Sequence, residues 1–372
     1  MNTFRRHLLK RGSTIREALA RLDGLAKDAI IFVVTDDNKL IGSLTDGDVR
    51  RGLLKGVTID QKVDEILQPN PRSIRKGDHD LSSVIEFREN NFRIIPILDN
   101  QDRVVNVINF REIKSYLPVD AVLMAGGRGK RLSPLTDKVP KPLLEIAGKP
   151  IIEHTLERLR LFGIDDFWIC VKYLGEQIEK WGGDGRDRNI SMSYVYEEEP
   201  LGTIGAISMI NDFGHEYILV TNSDILTNID YEHFFLDFLK NNADISVVTI
   251  PYAVDIPYAV LETDNGSVKN FREKPTYTYY SNGGIYLMRK EIVNFIPRHK
   301  HFNATDLIEV LLKAGRNVSS YPLAGYWLDI GRHEDYLKAQ KDINNVKVWW
   351  KFSLLFVQEE DRRAFRERIS SC

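Results

Sequence analysis

Leu123-Met124-Ala125-Gly126-Gly127-Arg128-Gly129-Lys130-Arg131-Leu132-Ser133-Pro134 is followed, after a short gap, by Pro140-Lys141-Pro142-Leu143. An apolar run ending in three glycines reads as a strand that feeds a loop whose backbone N–H groups can approach an anion without Cβ clashes. Plain tight turns produce similar glycine spacing. The stretch lacks the Gly-Lys-Ser/Thr ending of a P-loop, and a dinucleotide fold would need a different glycine spacing. What separates the readings is the coupling of the glycines to cations. Arg131 and Lys141 stand at fixed offsets, Lys141 between two prolines that restrict its backbone, and triphosphate recognition needs cations at defined positions. Ala125, Gly126, Gly127 and Gly129 are therefore candidate nucleotide-binding residues, and Arg131 and Lys141 candidate catalytic ones.

Downstream, short apolar runs at residues 121–125, 166–172, 217–221 and 245–250 alternate with helical segments, one of them predicted over 151–162. That alternation implies βαβ units around a mostly parallel sheet. Asp224 follows the third run and falls at the carboxyl end of a parallel strand, where open α/β sheets bind ligands. Asp329, in Trp327-Leu328-Asp329-Ile330-Gly331, is the second candidate. Either could be a cap or turn former. As a pair they match the preference of Mg²⁺ for one or two carboxylates plus phosphate oxygens.

Upstream, residues 29–36 and 92–99 align as an imperfect internal repeat, each an apolar strand run that meets a polar turn and then a second apolar run. Helix-period segments at 14–25 and 81–90 precede the two hairpins. Each copy is expected to run helix, strand, turn, strand, helix. The pattern changes around Tyr116-Leu117-Pro118-Val119, which sets expected boundaries of 1–117, 118–345 and a tail, 346–372, of unassigned role. That tail has an aromatic cluster at Trp349, Trp350 and Phe352 and then a dense charged run.

Lys and Arg number 51 against 53 Asp and Glu, so no global field argues for nucleic acid, and anion binding must come from local placement. Two cysteines do not make a disulfide framework, and no apolar run reads as a signal peptide or a membrane span. The cytoplasm is the expected compartment.

The loop and its cations resemble the sugar-1-phosphate nucleotidyltransferase family, mannose-1-phosphate guanylyltransferases included, over roughly residues 120–345. The likeness implies an α/β fold with a Rossmann-like, mostly parallel sheet. By it Arg131 neutralises the β and γ phosphates, Lys141 contacts the reacting phosphates, and Asp224 and Asp329 hold Mg²⁺. In Phe271-Arg272-Glu273-Lys274-Pro275, Glu273 would accept from sugar hydroxyls and Lys274 would bind the sugar phosphate, with Asn282 and Gly283 lining the sugar pocket. Glu197-Glu198-Glu199-Pro200-Leu201-Gly202-Thr203 could be a solvated acidic loop. Its match to guanylyl-type relatives implies instead that Glu198 and Gly202 lie at the nucleotide. A carboxylate can accept from both N1–H and the N2 amine of guanine, which points to GTP.

Gly42-Ser43-Leu44-Thr45-Asp46-Gly47-Asp48 resembles the corresponding segment of CBS modules and implies an α+β pair of them. In that family Thr45 and Asp48 would hold the ribose of an adenine nucleotide, while the second copy has Ile108 and Arg111 at these places. Ligand binding and dimerisation both stand open for this region, and a homo-oligomer is expected. The whole arrangement is similar to guanylyltransferases that act on glucosamine-1-phosphate in nonulosonic (legionaminic) acid pathways, with mannose-1-phosphate the nearest rival substrate. A reading of another class is an adenine-nucleotide sensor with a transferase-like regulatory partner.

Overall fold

The computed structural model describes residues 3–77 and 79–352. The first repeat comprises β1 (Leu8–Lys10), α1 (Ile15–Leu25), β2 (Ile30–Val34), β3 (Leu40–Thr45), α2 (Asp46–Leu54) and β4 (Gln68–Pro69). The second comprises β5 (Ile74–Arg75), α3 (Leu81–Glu89), β6 (Ile94–Leu98) and β7 (Val104–Asn109). Side chains that stop the backbone from fraying set the helix starts. Thr14 and Glu17 form a capping box at α1, and the Asp80 carboxylate accepts from Ser82 N at 3.0 Å at α3. Among the described residues the second repeat has no counterpart of α2, so the expected closing helix of that copy is not formed. After β7 the chain turns and enters the linker, whose Lys114 and Leu117 N–H groups donate to the carbonyls of Leu161 and Phe162 at 2.6 and 3.1 Å.

The two repeats bury their apolar faces differently. Ile15, Ala18 and Leu22 of α1 pack against Ile31, Val33 and Leu44 in a core that belongs to the first repeat. Leu81, Val84 and Phe87 of α3, with Ile95, Ile97 and Ile108, instead share one continuous cluster with Tyr116, Leu117, Leu123, Phe162 and Phe167. The expected boundary after residue 117 therefore falls in a buried segment, not in a solvated linker. Arg88 of α3 also reaches across this junction with two hydrogen bonds, 2.9 and 2.8 Å, to the carboxylate of Glu232.

The larger unit contains β8 (Val119–Met124), β9 (Glu145–Ile146), β10 (Lys149–Pro150), α4 (Ile151–Leu161), β11 (Asp166–Val171), α5 (Gly175–Gly182), β12 (Ser191–Tyr196) and β13 (Tyr217–Asn222). It continues with β14 (Ile225–Thr227), α6 (Tyr231–Lys240), β15 (Ile245–Asp255), β16 (Val260–Asp264), β17 (Ser267–Arg272) and β18 (Thr276–Arg289). The last elements are α7 (Ala304–Lys313), β19 (Val318–Pro322), β20 (Trp327–Asp329) and α8 (His333–Phe352). The main sheet has the order β12-β11-β8-β13-β18-β15-β19, and only β18 runs antiparallel to its neighbours. β8 lies inside the sheet, parallel to both flanking strands, which accounts for its apolar run from Ala121 to Met124. Beyond Ile250 the paired β15 and β18 leave the buried sheet as an exposed arm, extended by the β16–β17 hairpin. No helix among the described residues is long and apolar enough to cross a membrane. The expectations for residues 346–372 fall outside the described side chains, beyond the continuation of α8 to Phe352.

Candidate active site

β8 delivers the glycine loop at its carboxyl end, where hydrogen bonds from Ala125 N to Cys170 O (2.8 Å) and from Ser223 N to Met124 O (3.1 Å) tie it to the neighbouring strands. Two glycines sit where a side chain would crowd the loop. A Cβ on Gly126 would lie 2.7 Å from Oε1 of Glu197, and Gly129 has φ +66° with Lys141 and Thr136 both 3.1 Å from where its Cβ would be. Gly127 faces open space, so its backbone remains available to a ligand.

Lys141 begins a short helical turn after Pro140, and its ammonium forms an ion pair with Oδ2 of Asp224 and lies 3.9 Å from Oδ1 of Asp329. Antiparallel pairing of β14 with β20 places Ile225 opposite Asp329, and Ile330 N donates to Asp224 O at 3.1 Å. Two aspartates far apart in sequence thus meet on one cation. Oδ1 of Asp224 is buried without a hydrogen-bond donor. Burial, and next the Asp224 charge, push the Asp329 carboxyl above its ordinary pKa, with Lys141 and Arg131 opposing. Arg131 completes the group: a Cβ on Gly331 would lie 3.3 Å from its guanidinium and 3.5 Å from Asp329 Oδ2. Two carboxylates, one with a buried oxygen that lacks a donor, beside an ammonium fit a divalent ion with oxygen ligands.

A cavity of about 290 Å³ opens between the loop and Asp224, lined among others by Ala125, Gly126, Gly127, Lys141 and Gly202. Its buried carboxylate is Glu197, one residue before the one the sequence reading chose. Glu197 Oε2 accepts from Leu201 N at 3.0 Å, and burial raises its pKa against the opposing pull of that N–H and of Lys172. Glu198 is exposed and contributes only its carbonyl, to Lys172. Gly202, at φ +81°, is packed so closely on Phe302 O that a Cβ would lie 2.6 Å from it, and this close approach holds the acidic loop against α7.

The sugar-side residues divide into two groups. Asn282 and Gly283 sit where the arm leaves the sheet; Gly283 O accepts from Trp327 Nε1 at 2.9 Å, which links them to the strand that carries Asp329. Asn282 Oδ1 is taken by Gly284 N and Tyr286 OH, at 2.9 and 3.0 Å. Glu273 and Lys274 lie exposed between β17 and β18, Lys274 at φ +42°, and neither lines the cavity. In the N-terminal region Thr45 and Asp48 form the capping box of α2, with Arg51 2.7 Å from Asp48. Arg111, at the matching place of the second copy, instead reaches the buried Asp28 of the first at 3.2 Å.

The family model described as Nucleotidyl transferase matches residues 120–346, and the CBS domain model matches residues 8–55. A UTP–glucose-1-phosphate uridylyltransferase of Synechocystis is 28% identical over 253 residues, covering 61% of this chain and 65% of that protein. A mannose-1-phosphate guanylyltransferase of Mycobacterium tuberculosis is 32% identical over 232 residues, covering 60% and 64%. The chain thus spans just under two thirds of the length of these relatives. Among solved structures, HddC from Yersinia pseudotuberculosis aligns at 28% identity and TM-score 0.48, covering 60% of this chain and 99% of that one. With its glycine loop, paired aspartates and central lysine inside the matched region, the chain belongs to the nucleotidyl transferase family.

Proposed function

We propose that this chain joins a sugar 1-phosphate to a nucleoside triphosphate in the cytoplasm, releasing a nucleotide sugar and pyrophosphate. The convergence of Asp224 and Asp329 on Lys141, beside the open face of Gly127, carries this reading. A phosphate oxygen of the sugar 1-phosphate attacks the α-phosphorus in line, the bond to the bridging oxygen breaks, and pyrophosphate leaves with that oxygen. Catalysis is then positioning and charge neutralisation. The loop amides hold the triphosphate, and Arg131 and Lys141 offset charge on the leaving group. Asp224 and Asp329 would hold Mg²⁺, which supplies Lewis-acid neutralisation of phosphate oxygens when bound. Glu273, Lys274, Asn282 and Gly283 remain the proposed sugar side, with glucosamine-1-phosphate and mannose-1-phosphate as the leading substrates.

GTP is the proposed nucleotide, and a pyrophosphate-release screen should give it a rate about tenfold or more above UTP, CTP and dTTP, the worth of one extra well-placed hydrogen bond to a charged group. A different ranking would overturn that choice. The base contact falls to Glu197. Glu197→Ala should raise the KM for GTP roughly tenfold to a hundredfold, because a hydrogen bond to a charged group contributes about 1.5–3 kcal/mol. Glu198→Ala should change it by less than about threefold, as expected of an exposed side chain. Equal effects would return the role to the exposed loop.

A regulatory reading of the N-terminal repeats rests on a large cleft between them, about 1150 Å³, where Arg5, Arg6, Lys10, Arg21 and Arg103 outnumber Glu17, Asp37 and Asp99. An adenine nucleotide fits this charge balance, although Thr45 and Asp48 do not line the cleft. Calorimetry of the whole chain with AMP and ATP tests it, and the absence of heat beyond that of GTP-site competition leaves homo-oligomerisation as the role of the repeats.

A further inference from the structure

At the amino ends of the strands that carry the glycine loop, the sheet assembles a second set of ligating groups. Parallel pairing of β11, β8 and β13 puts Phe167 beside Ala121 and Tyr217 beside Val119. Asp166 and Asp120 immediately precede the first of these pairs and His215 lies two residues ahead of Tyr217, so the three are neighbours in space although distant in the chain. Asp120 and His215 are only 2% and 4% exposed. The backbone N–H of His215 donates to Asp120 Oδ2 at 2.8 Å, which aims the ring at the carboxylates. Its Nδ1 lies 3.5 Å from Asp120 Oδ2 and 3.9 Å from Asp166 Oδ2, yet it is buried with no hydrogen-bond partner. A buried ring nitrogen left without a partner beside two carboxylates is an unusual expense for a fold that has no use for it.

We propose that Asp120, Asp166 and His215 bind a divalent first-row transition ion, with Zn²⁺ as the probe. One imidazole nitrogen and two carboxylate oxygens are a donor set suited to zinc and its neighbours, and the nitrogen disfavours Mg²⁺. All three ligand atoms lie within 4.8 Å of one another. Ligands at about 2.0–2.1 Å from a tetrahedral ion stand about 3.3 Å apart, so closure on the ion draws Nδ1 and Asp120 together by a few tenths of an ångström and the most distant pair of ligand atoms by up to about 1.5 Å.

The competing cation is Lys76, from β5's end of the second repeat, whose ammonium lies 3.0 Å from Asp166 Oδ2 and 3.7 Å from Asp165 Oδ1. Asp165 is less available to an ion, since it already accepts from Tyr116 OH at 3.1 Å and from Asn106 at 3.2 Å. An ion on Asp166 would draw that carboxylate away from Lys76. Metal loading therefore competes with a tie between the repeats and the sheet, and the site acts at the junction, not at the nucleotide.

The test strips the full-length chain with a chelator, dialyses it against Zn²⁺ in buffer containing excess Mg²⁺, and counts retained metal by mass spectrometry. About one zinc per chain is expected, with binding in His215→Ala weaker by roughly a hundredfold, the upper end of what losing even an outer partner of a metal site costs. Asp224→Asn should retain zinc, which separates this site from the proposed catalytic one, and Lys76→Ala should bind it more tightly. Cobalt substitution should give visible d–d bands in the unmodified chain, a readout that needs no variant should His215→Ala fail to fold. No retained zinc and no cobalt bands, or zinc binding indifferent to both His215 and Lys76, overturns the proposal and leaves Lys76 as the junction's own counter-ion.

Discussion

Asp224→Asn lowers the rate of pyrophosphate release in Mg²⁺ by roughly a hundredfold or more, because losing one such electrostatic contact commonly raises a barrier by about 3 kcal/mol. The substitution keeps the shape of the side chain and removes its charge. In the folded chain Asp224 holds Lys141 through one oxygen, and its other oxygen is buried with no donor of its own. The amide would leave Asp329 as the one carboxylate within 4.0 Å of the Lys141 ammonium among the described residues. Asp329 cannot substitute, since it lies farther from Lys141 and burial already raises its pKa. The fold should survive, because the main-chain link from Asp224 O to Ile330 N does not involve the side chain. An unchanged melting curve with lost turnover is the expected pair of results. A variant that still turns over in Mg²⁺ would remove the metal from Asp224.

Gly163→Ala should destabilise the chain by roughly 3 kcal/mol, combining about 1–2 kcal/mol for a left-handed non-glycine residue with about 1–3 kcal/mol of overpacking. Gly163 ends α4 at φ +73°, and a Cβ there would run into the carbonyl oxygen of Ser115 and lie 2.6 Å from Tyr116 Cα. Backbone, not a flexible side-chain tip, occupies that space, so relaxation must move the segment that joins the repeats to the sheet. Denaturant unfolding measures the effect. An unchanged midpoint would show that the joining segment yields freely.

The central strands were legible because burial on both faces leaves an unbroken apolar run. Residues 121–125 found β8 but missed its first two residues, since Asp120 reads as a boundary until His215 is seen beside it. The helix-period segment at 14–25 found α1, whose start the structure shows capped locally by Thr14 and Glu17. The run at 245–250 marked only the buried half of β15; the strand continues to Asp255 past Pro251, which reads as a break, and its exposed half keeps Tyr252 and Val254 in solvent. The pairing of Asp224 with Asp329 came from resemblance, and the pairing of β14 with β20 supplies its physical cause. Among Glu197, Glu198 and Glu199 composition could not choose. The choice depends on which way the backbone turns after β12, and that turn buries the first carboxylate and leaves the next two in water. The trio of Asp120, Asp166 and His215 was illegible because it depends on the registers of three strands at once.

The shared apolar cluster at the junction bears on how this chain can be dissected. A cut after residue 117 would strip Leu81, Val84, Phe87 and Ile95 of the partners that now exclude water from them, and would uncover Phe162 and Phe167 on the other fragment. Both fragments would then present sticky, newly wetted surfaces, so limited proteolysis should leave the two parts co-purifying as a nicked complex. Recombinant halves expressed alone should aggregate unless they are mixed during refolding.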